Sequence, residues 1–307
     1  MTKYIDSEVD VMKIAIIGGG SLGLLFAHYL NEYHHVCLYV RSEEQEHCLS
    51  SEGLIFEKNE QKIVHSINTA TFSSWEGNED LTILAVKQYH LPDILQRMAE
   101  AAPCYKGSFL FLQNGMGHIK LLDSVKANNV YVGSVEHGAR KESLNHVIHT
   151  GSGLTRIAIY KGHSLNIMKK IANQFAERFP FTAEKDYESM LVNKLVVNSV
   201  INPLTAVLNV RNGELLDNPY YNKLFKQMFN EISSILYMEN QDETLTHLEN
   251  VCRKTAANRS SMLQDLDGNR LTEVDAILGY VLDKADDIGV HAPLTEFFYH
   301  SIKGKEY

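Results

Sequence analysis

Short apolar runs rich in β-branched residues recur through the first half of the chain, and beyond residue 187 the apolar period lengthens to that of helices. Lys13-Ile-Ala-Ile-Ile17 reads as a strand, Leu22, Leu25, Phe26, Tyr29 and Leu30 as one helix face, and Val36-Cys-Leu-Tyr-Val40 as the next strand. Gly53-Leu-Ile-Phe56 and Lys62-Ile-Val-His-Ser66 read as a hairpin inserted between such units, with buried strands at Leu81–Val86, Phe109–Leu112 and Tyr131–Val135. His146–His149 and Arg156–Ile159 are expected to finish the same sheet, followed by a helix at 165–179 and a strand at Phe181-Thr182. Helical periodicity then covers 187–208, 218–239, 243–257, 259–266, 273–288 and 294–303. The expected fold is an α/β Rossmann-type N-terminal domain, 12–185, followed by an all-α C-terminal domain, 186–307. Residues 1–11 are expected to be a disordered extension, with Met12 an equally good start.

The stretch Met190-Leu-Val-Asn-Lys-Leu-Val-Val-Asn-Ser-Val-Ile-Asn-Pro203 stands apart. On a helix, Lys194, Asn198 and Asn202 form one slowly drifting stripe, while nearly everything else on it is apolar. A helix that is apolar around most of its girth is usually buried, and an ammonium with two carboxamides needs polar partners there. A cleft with a polar ligand would supply them; a core helix with a snorkelling lysine and satisfied amides is the alternative. Pro203 is expected to kink or end the helix.

Between the first strand and helix lies Gly18-Gly-Gly-Ser-Leu-Gly23, with Gly18, Gly20 and Gly23 in the G-x-G-x-x-G positions. The first glycine allows a tight turn, the second a close approach of pyrophosphate to backbone, and the third close packing of helix on strand. The helix start, with Ser21 and Leu22, offers N–H groups to phosphates. At the end of the second strand, Arg41-Ser42 stands where a site for NAD usually has a carboxylate. An arginine there pairs with a 2′-phosphate, so NADP(H) is the expected cofactor. Two later strands deliver Lys87-Gln88 and Gln113-Asn114-Gly115 at their carboxyl ends, where ligands of open α/β sheets collect. Asn114 is thereby expected within reach of the nicotinamide end of the cofactor or of the substrate, with a plain Asn-Gly turn as the alternative.

A chain of 307 residues at 44% apolar composition supports two domains. The net charge of −9 disfavours nucleic acid and anionic membrane as partners. No secretory signal pattern precedes Met12, and four cysteines without metal or CxxC spacing fit a soluble, cytoplasmic protein. Its histidines form no HExxH-like pair, and no metal site is expected. The Leu-, Phe- and Tyr-rich stretch 220–237 is apolar enough to pack a homodimer or the core alone.

Together these pieces resemble the ketopantoate reductases (2-dehydropantoate 2-reductases), of the wider 6-phosphogluconate dehydrogenase-like group. The resemblance rests on the glycine motif, Val86-Lys-Gln88, Asn114-Gly-Met-Gly117 and Asn193–Ala206, and on Asn212-Gly-Glu-Leu215, Asn258–Asp265 and Thr272–Gly279. It implies NADPH-dependent reduction of 2-dehydropantoate to pantoate, a step toward pantothenate and coenzyme A. Lys194 then resembles the catalytic lysine, Glu273 the second ionisable group, and Asn114, Asn198, Asn202 and Ser261 substrate ligands. Arg41 resembles the 2′-phosphate contact and Lys87 and Gln88 cofactor contacts, while Asn212 matches a motif position set among the substrate ligands. Glu273 also reads as an ordinary first-turn acid complementing a helix dipole. A related 2-oxoacid or 3-hydroxyacid reductase, or an NADP(H) sensor without turnover, are the competing readings.

Overall fold

A computed structural model of the chain describes residues 11–307; residues 1–10, which hold most of the expected extension, lie outside the described residues. The chain divides into two compact units, one running through Gln113 and resuming at Leu121–Tyr187, the other comprising Asn114–Lys120 and Glu188–Tyr307.

The first unit is built on β1 (Lys13–Ile17), α1 (Ser21–Leu30), β2 (His35–Val40), α2 (Glu43–Glu52), β3 (Leu54–Lys58), β4 (Gln61–His65), β5 (Asn68–Thr71) and β6 (Leu81–Leu84). It continues through α3 (Leu91–Ala101), β7 (Ser108–Phe111), the second half of α4 (Ile119–Leu122), β8 (Asn129–Val135), β9 (Gly138–Lys141), β10 (His146–Gly151), β11 (Thr155–Lys161), α5 (Asn166–Gln174) and β12 (Phe181–Ala183). Eight strands make one sheet in the order β12-β11-β8-β7-β6-β1-β2-β5, parallel except where β11 runs against β8. The chain winds outward from β1 on one side through β2 and β5, then starts again beside β1 with β6. That reversal leaves a crevice beyond the carboxyl ends of β1 and β6, the place where such sheets bind ligands.

His146–His149 does not join this sheet. It falls in β10, within a separate four-stranded sheet ordered β4-β3-β10-β9. The second sheet explains α1, in which every residue from Gly23 to Leu30 is buried. An amphipathic helix would suffice against one sheet; α1 touches β1 and β2 on one side and β3, β9 and β10 on the other, so it is buried all round and mostly apolar. Its polar residues are spent inward: the His28 Nδ1 and His65 Nε2 atoms are 2.8 Å apart and Tyr29 Oη lies 2.9 Å from His149 Nδ1. Tyr29, Phe26, Phe179 and Phe181 close the core around it.

The second unit holds α6 (Tyr187–Leu208), α7 (Glu214–Asp217), α8 (Pro219–Ile235), α9 (Gln241–Lys254), α10 (Ser261–Asp267), a π-helical turn at Asp275–Gly279, α11 (Tyr280–Asp287) and α12 (Pro293–Glu306). α6 does not end at Pro203 but runs on to Leu208. The proline removes the N–H that Ser199 would receive, and the helix survives because packing on both sides holds it: Ser199, Val200, Ile201, Leu204 and Thr205 are all nearly inaccessible. α6 is also the one helix among the described residues long and apolar enough to cross a membrane, and most of that stretch is buried within the protein, as in a core helix.

Candidate active site

The residues singled out in the sequence fall into two groups, one in each unit. In the first, β1 ends at Ile17 and Gly18 turns the chain at φ 114°, with its N–H on the carbonyl of Tyr39 at 2.8 Å. A Cβ there would sit 2.9 Å from the Ala85 carbonyl oxygen, so only glycine brings β1 and the end of β6 this close. At Gly23 a Cβ would overlap the Gly18 carbonyl oxygen, whereas Gly20 faces open space. α1 begins at Ser21 with Gly20 as its cap, no side chain satisfies its first N–H groups and no acid stands in its first turn. An uncapped helix start under a glycine turn fits a pyrophosphate. Arg41 is exposed at the end of β2, next to Ser42, which caps α2 through Gln45 N–H.

Beyond β6, Lys87 and Gln88 are half-buried at the entry to a 3-10 turn, Gln88–His90. Gln113, at the end of the strand before Asn114, holds this turn in place: its Nε2 donates to the carbonyls of Leu84 at 2.8 Å and Val86 at 3.0 Å. Its signal in the sequence is only an amide at a strand end.

In the second unit, Lys194 and Asn198 are half-buried on α6 and Asn202, eight residues on, is 7% exposed. Neither the Asn198 nor the Asn202 side-chain amide finds a hydrogen-bond partner among the described residues. α6 is fastened at its far end, where the Thr205 hydroxyl reaches the Ile201 carbonyl at 2.8 Å and the Ser260 hydroxyl at 2.7 Å. Ser260 in turn caps α10 by accepting from Leu263 N–H. Ser261 is therefore the exposed first residue of α10, and its neighbour Ser260, not among the expected site residues, is the buried cap.

Asn114 and Glu273 meet. The Asn114 Nδ2 donates to Glu273 Oε2 at 2.9 Å, and Glu273 is 6% exposed. A dipole-complementing acid would be solvated, and the capping work here belongs to other groups: Thr272 Oγ1 accepts from Val274 N–H, and Glu306 receives both the N–H and the hydroxyl of Thr272. Gly115 stands at φ 73° as an Asn-Gly turn requires, so the turn and the side-chain contact coexist. Met116 and Gly117 donate their N–H groups to the carbonyl of Ala276 at 3.1 and 3.4 Å. Ala276 lies in the π-helical turn, whose wider register frees carbonyls for such outside donors. Asn212 is 7% exposed and donates to Thr255 Oγ1 at 2.9 Å, while its backbone N–H bonds the Asn258 carbonyl; this geometry ties two loops together. No cluster of three metal-ligating side chains occurs among the described residues.

Family models described as Ketopantoate reductase PanE/ApbA and Ketopantoate reductase PanE/ApbA C terminal match residues 14–162 and 186–306. A 2-dehydropantoate 2-reductase of Bacillus subtilis is 41% identical over 296 residues, covering 96% of this chain and 98% of that one; one of Listeria innocua is 35% identical over 96% and 97%. The crystal structure of the probable Bacillus subtilis 2-dehydropantoate 2-reductase superimposes with a TM-score of 0.84 over 96% of this chain and all of that one. A ternary structure of D-mandelate dehydrogenase with NADH and anilino(oxo)acetate, 26% identical, gives 0.88 over 96% and 98%. The chain belongs to the ketopantoate reductase family.

Proposed function

We propose that this protein reduces 2-dehydropantoate to pantoate with NADPH, through Lys194. The observation that carries the reading is the stripe on α6: a lysine and two carboxamides whose amides are unspent within the protein, on a helix that is otherwise core. Amides that no group among the described residues takes, on a helix this apolar, leave donors and acceptors ready for a polar ligand.

NADPH, when bound, supplies the hydride to the keto carbon. The electron pair of the carbonyl π bond moves to the keto oxygen, where the Lys194 ammonium stabilises the charge and gives up a proton, leaving a hydroxyl. Asn198 and Asn202 orient the substrate through its carboxylate and hydroxyl groups, and Ser261 adds a further donor. Glu273, positioned by Asn114, is the second ionisable group. Gly18, Gly20, Ser21, Leu22 and Gly23 hold the pyrophosphate, Arg41 the 2′-phosphate, and Lys87 and Gln88 further parts of the cofactor. The placement of Asn212 supports a structural role for it rather than a substrate contact.

Four free cysteines support a cytoplasmic setting and exclude no partner; the exposed rings of Tyr220, Tyr237 and Phe297 support a homodimer. The likeness to D-mandelate dehydrogenase supports a second reading, a reductase of a bulkier 2-oxo acid. Following NADPH absorbance with 2-dehydropantoate, pyruvate, a phenyl-bearing 2-oxo acid and a 3-oxo acid, and repeating each with NADH, separates the two. Highest kcat/KM for 2-dehydropantoate with NADPH is expected; a preference for the phenyl-bearing acid replaces the first reading with the second.

A further inference from the structure

The strand β9 brings Lys141 to the glycine turn twice over. Its backbone N–H donates to Ser21 Oγ at 3.1 Å and its ammonium donates to the Gly19 carbonyl at 2.9 Å. That carbonyl already has a donor in Gln45 Nε2, at 2.8 Å, and the same amide nitrogen reaches the Leu144 carbonyl at 2.7 Å. Strand and turn are therefore fastened without the charge on Lys141. An ammonium has three N–H donors, and the Gly19 bond uses one. Among the described residues, no carboxylate pairs with Lys141 or with Arg41.

Lys141 is half-buried, and the charge it feels most is of its own sign. Burial first and the Arg41 guanidinium second push its pKa down from the ordinary lysine value. Two cations held in one field, one of them partly stripped of water, are unfavourable on their own and favourable around an anion. The anion must fit between a glycine turn, Ser21 and the end of β2.

We propose that Lys141 is a second cation for the 2′-phosphate of the dinucleotide, acting beside Arg41, and so sets the preference for NADPH over NADH. This rests on the reading of the glycine turn and Arg41 as the cofactor site. The test is direct binding, which involves no keto acid. Kd values for NADPH, NADH, adenosine 2′,5′-bisphosphate and 5′-AMP are measured by calorimetry for the native protein, Lys141→Met and Lys141→Arg at one ionic strength. Lys141→Met is expected to weaken NADPH and the bisphosphate about tenfold or more, as losing one charge-assisted contact does, and to leave NADH and 5′-AMP within about threefold. Lys141→Arg restores most of the difference. Equal weakening of all four ligands, or no weakening of any, overturns the proposal, since Lys141 then props the turn or touches nothing. A native protein that does not favour NADPH overturns it too. Intact discrimination in a protein that does not reduce 2-dehydropantoate leaves Lys141 in place and removes only the substrate reading.

Discussion

Asn114 and Glu273, 159 residues apart in sequence, share a 2.9 Å hydrogen bond in which the carboxamide serves a carboxylate that is almost wholly withdrawn from solvent. Such a donor matters more than one at the surface, because it serves a side chain that water scarcely reaches. Asn114→Leu is expected to cost about 1.5–3 kcal/mol in urea unfolding, the usual range for a bond to a charged group. Glu273→Gln keeps an acceptor oxygen for Asn114 in nearly the same volume but removes the charge. Its melting temperature should stay within about 3 °C of native while kcat falls about a hundredfold. Unchanged kcat in Glu273→Gln would leave Glu273 as scaffolding.

The loop that carries Asn114 depends on Gly115. Its φ of 73° disfavours any side chain, and a Cβ would overlap the Ala276 carbonyl oxygen that Met116 and Gly117 bond. Gly115→Ala is expected to destabilise by about 2 kcal/mol or more and to loosen the turn from the π-helical segment. Faster amide exchange at Met116 and Gly117 would show the loosening; native exchange there would mean the backbone shifts to accommodate the methyl.

How much of this could be read in the sequence divides along physical lines. The G-x-G-x-x-G turn, the buried strands on either side of it and the long apolar α6 with its polar stripe were legible, because local periodicity and glycine chemistry dictate them. β10 belongs to the second sheet rather than to the main one, and β5 and β9 carry no strand signal in the sequence. They are short, their alternation is weak, and pairing with distant strands rather than their own composition makes them strands. The same holds at the site. Lys194 and Asn202 announce themselves as polar residues in an apolar run. Gln113 and Lys141 act through backbone carbonyls far away in sequence, and Ser260, besides its local cap, through the distant Thr205 hydroxyl, so the sequence around them does not mark these contacts.

The second sheet and α1 enclose histidines that are neutral when folded. Burial, then neighbouring cations and rings, pushes His28 down to about 3 and His137 down to about 4, and His65 and His149 are lowered as well. In the unfolded chain these groups take up protons near their ordinary value of 6.5. Below that pH the unfolded state binds more protons than the folded one, so stability falls as pH falls, down to the depressed folded values. Each fully protected histidine contributes a slope of about 1.4 kcal/mol per pH unit. Urea midpoints at pH 7.5 and 5.0 should therefore differ clearly, and His28→Phe, which keeps the stacking on Phe56, should flatten the dependence. Equal midpoints at the two pH values would show that the cluster opens to water without unfolding.

Labour is divided along α6. If Lys194 provides charge stabilisation and the proton while Asn202 holds the substrate, their removal should act on different constants. Lys194→Ala is expected to lower kcat by about a hundredfold to ten-thousandfold with little change in the Kd for NADPH. Asn202→Ala opens a small polar gap in a helix fastened at Thr205, so its main effect should be on the KM for 2-dehydropantoate, about tenfold, with kcat changed less. Primary isotope effects with deuterated NADPH separate the two cases further, since a slowed hydride step raises the effect on kcat in Lys194→Ala. Near-native turnover in that variant would remove Lys194 from the chemistry and leave the stripe as a binding surface only.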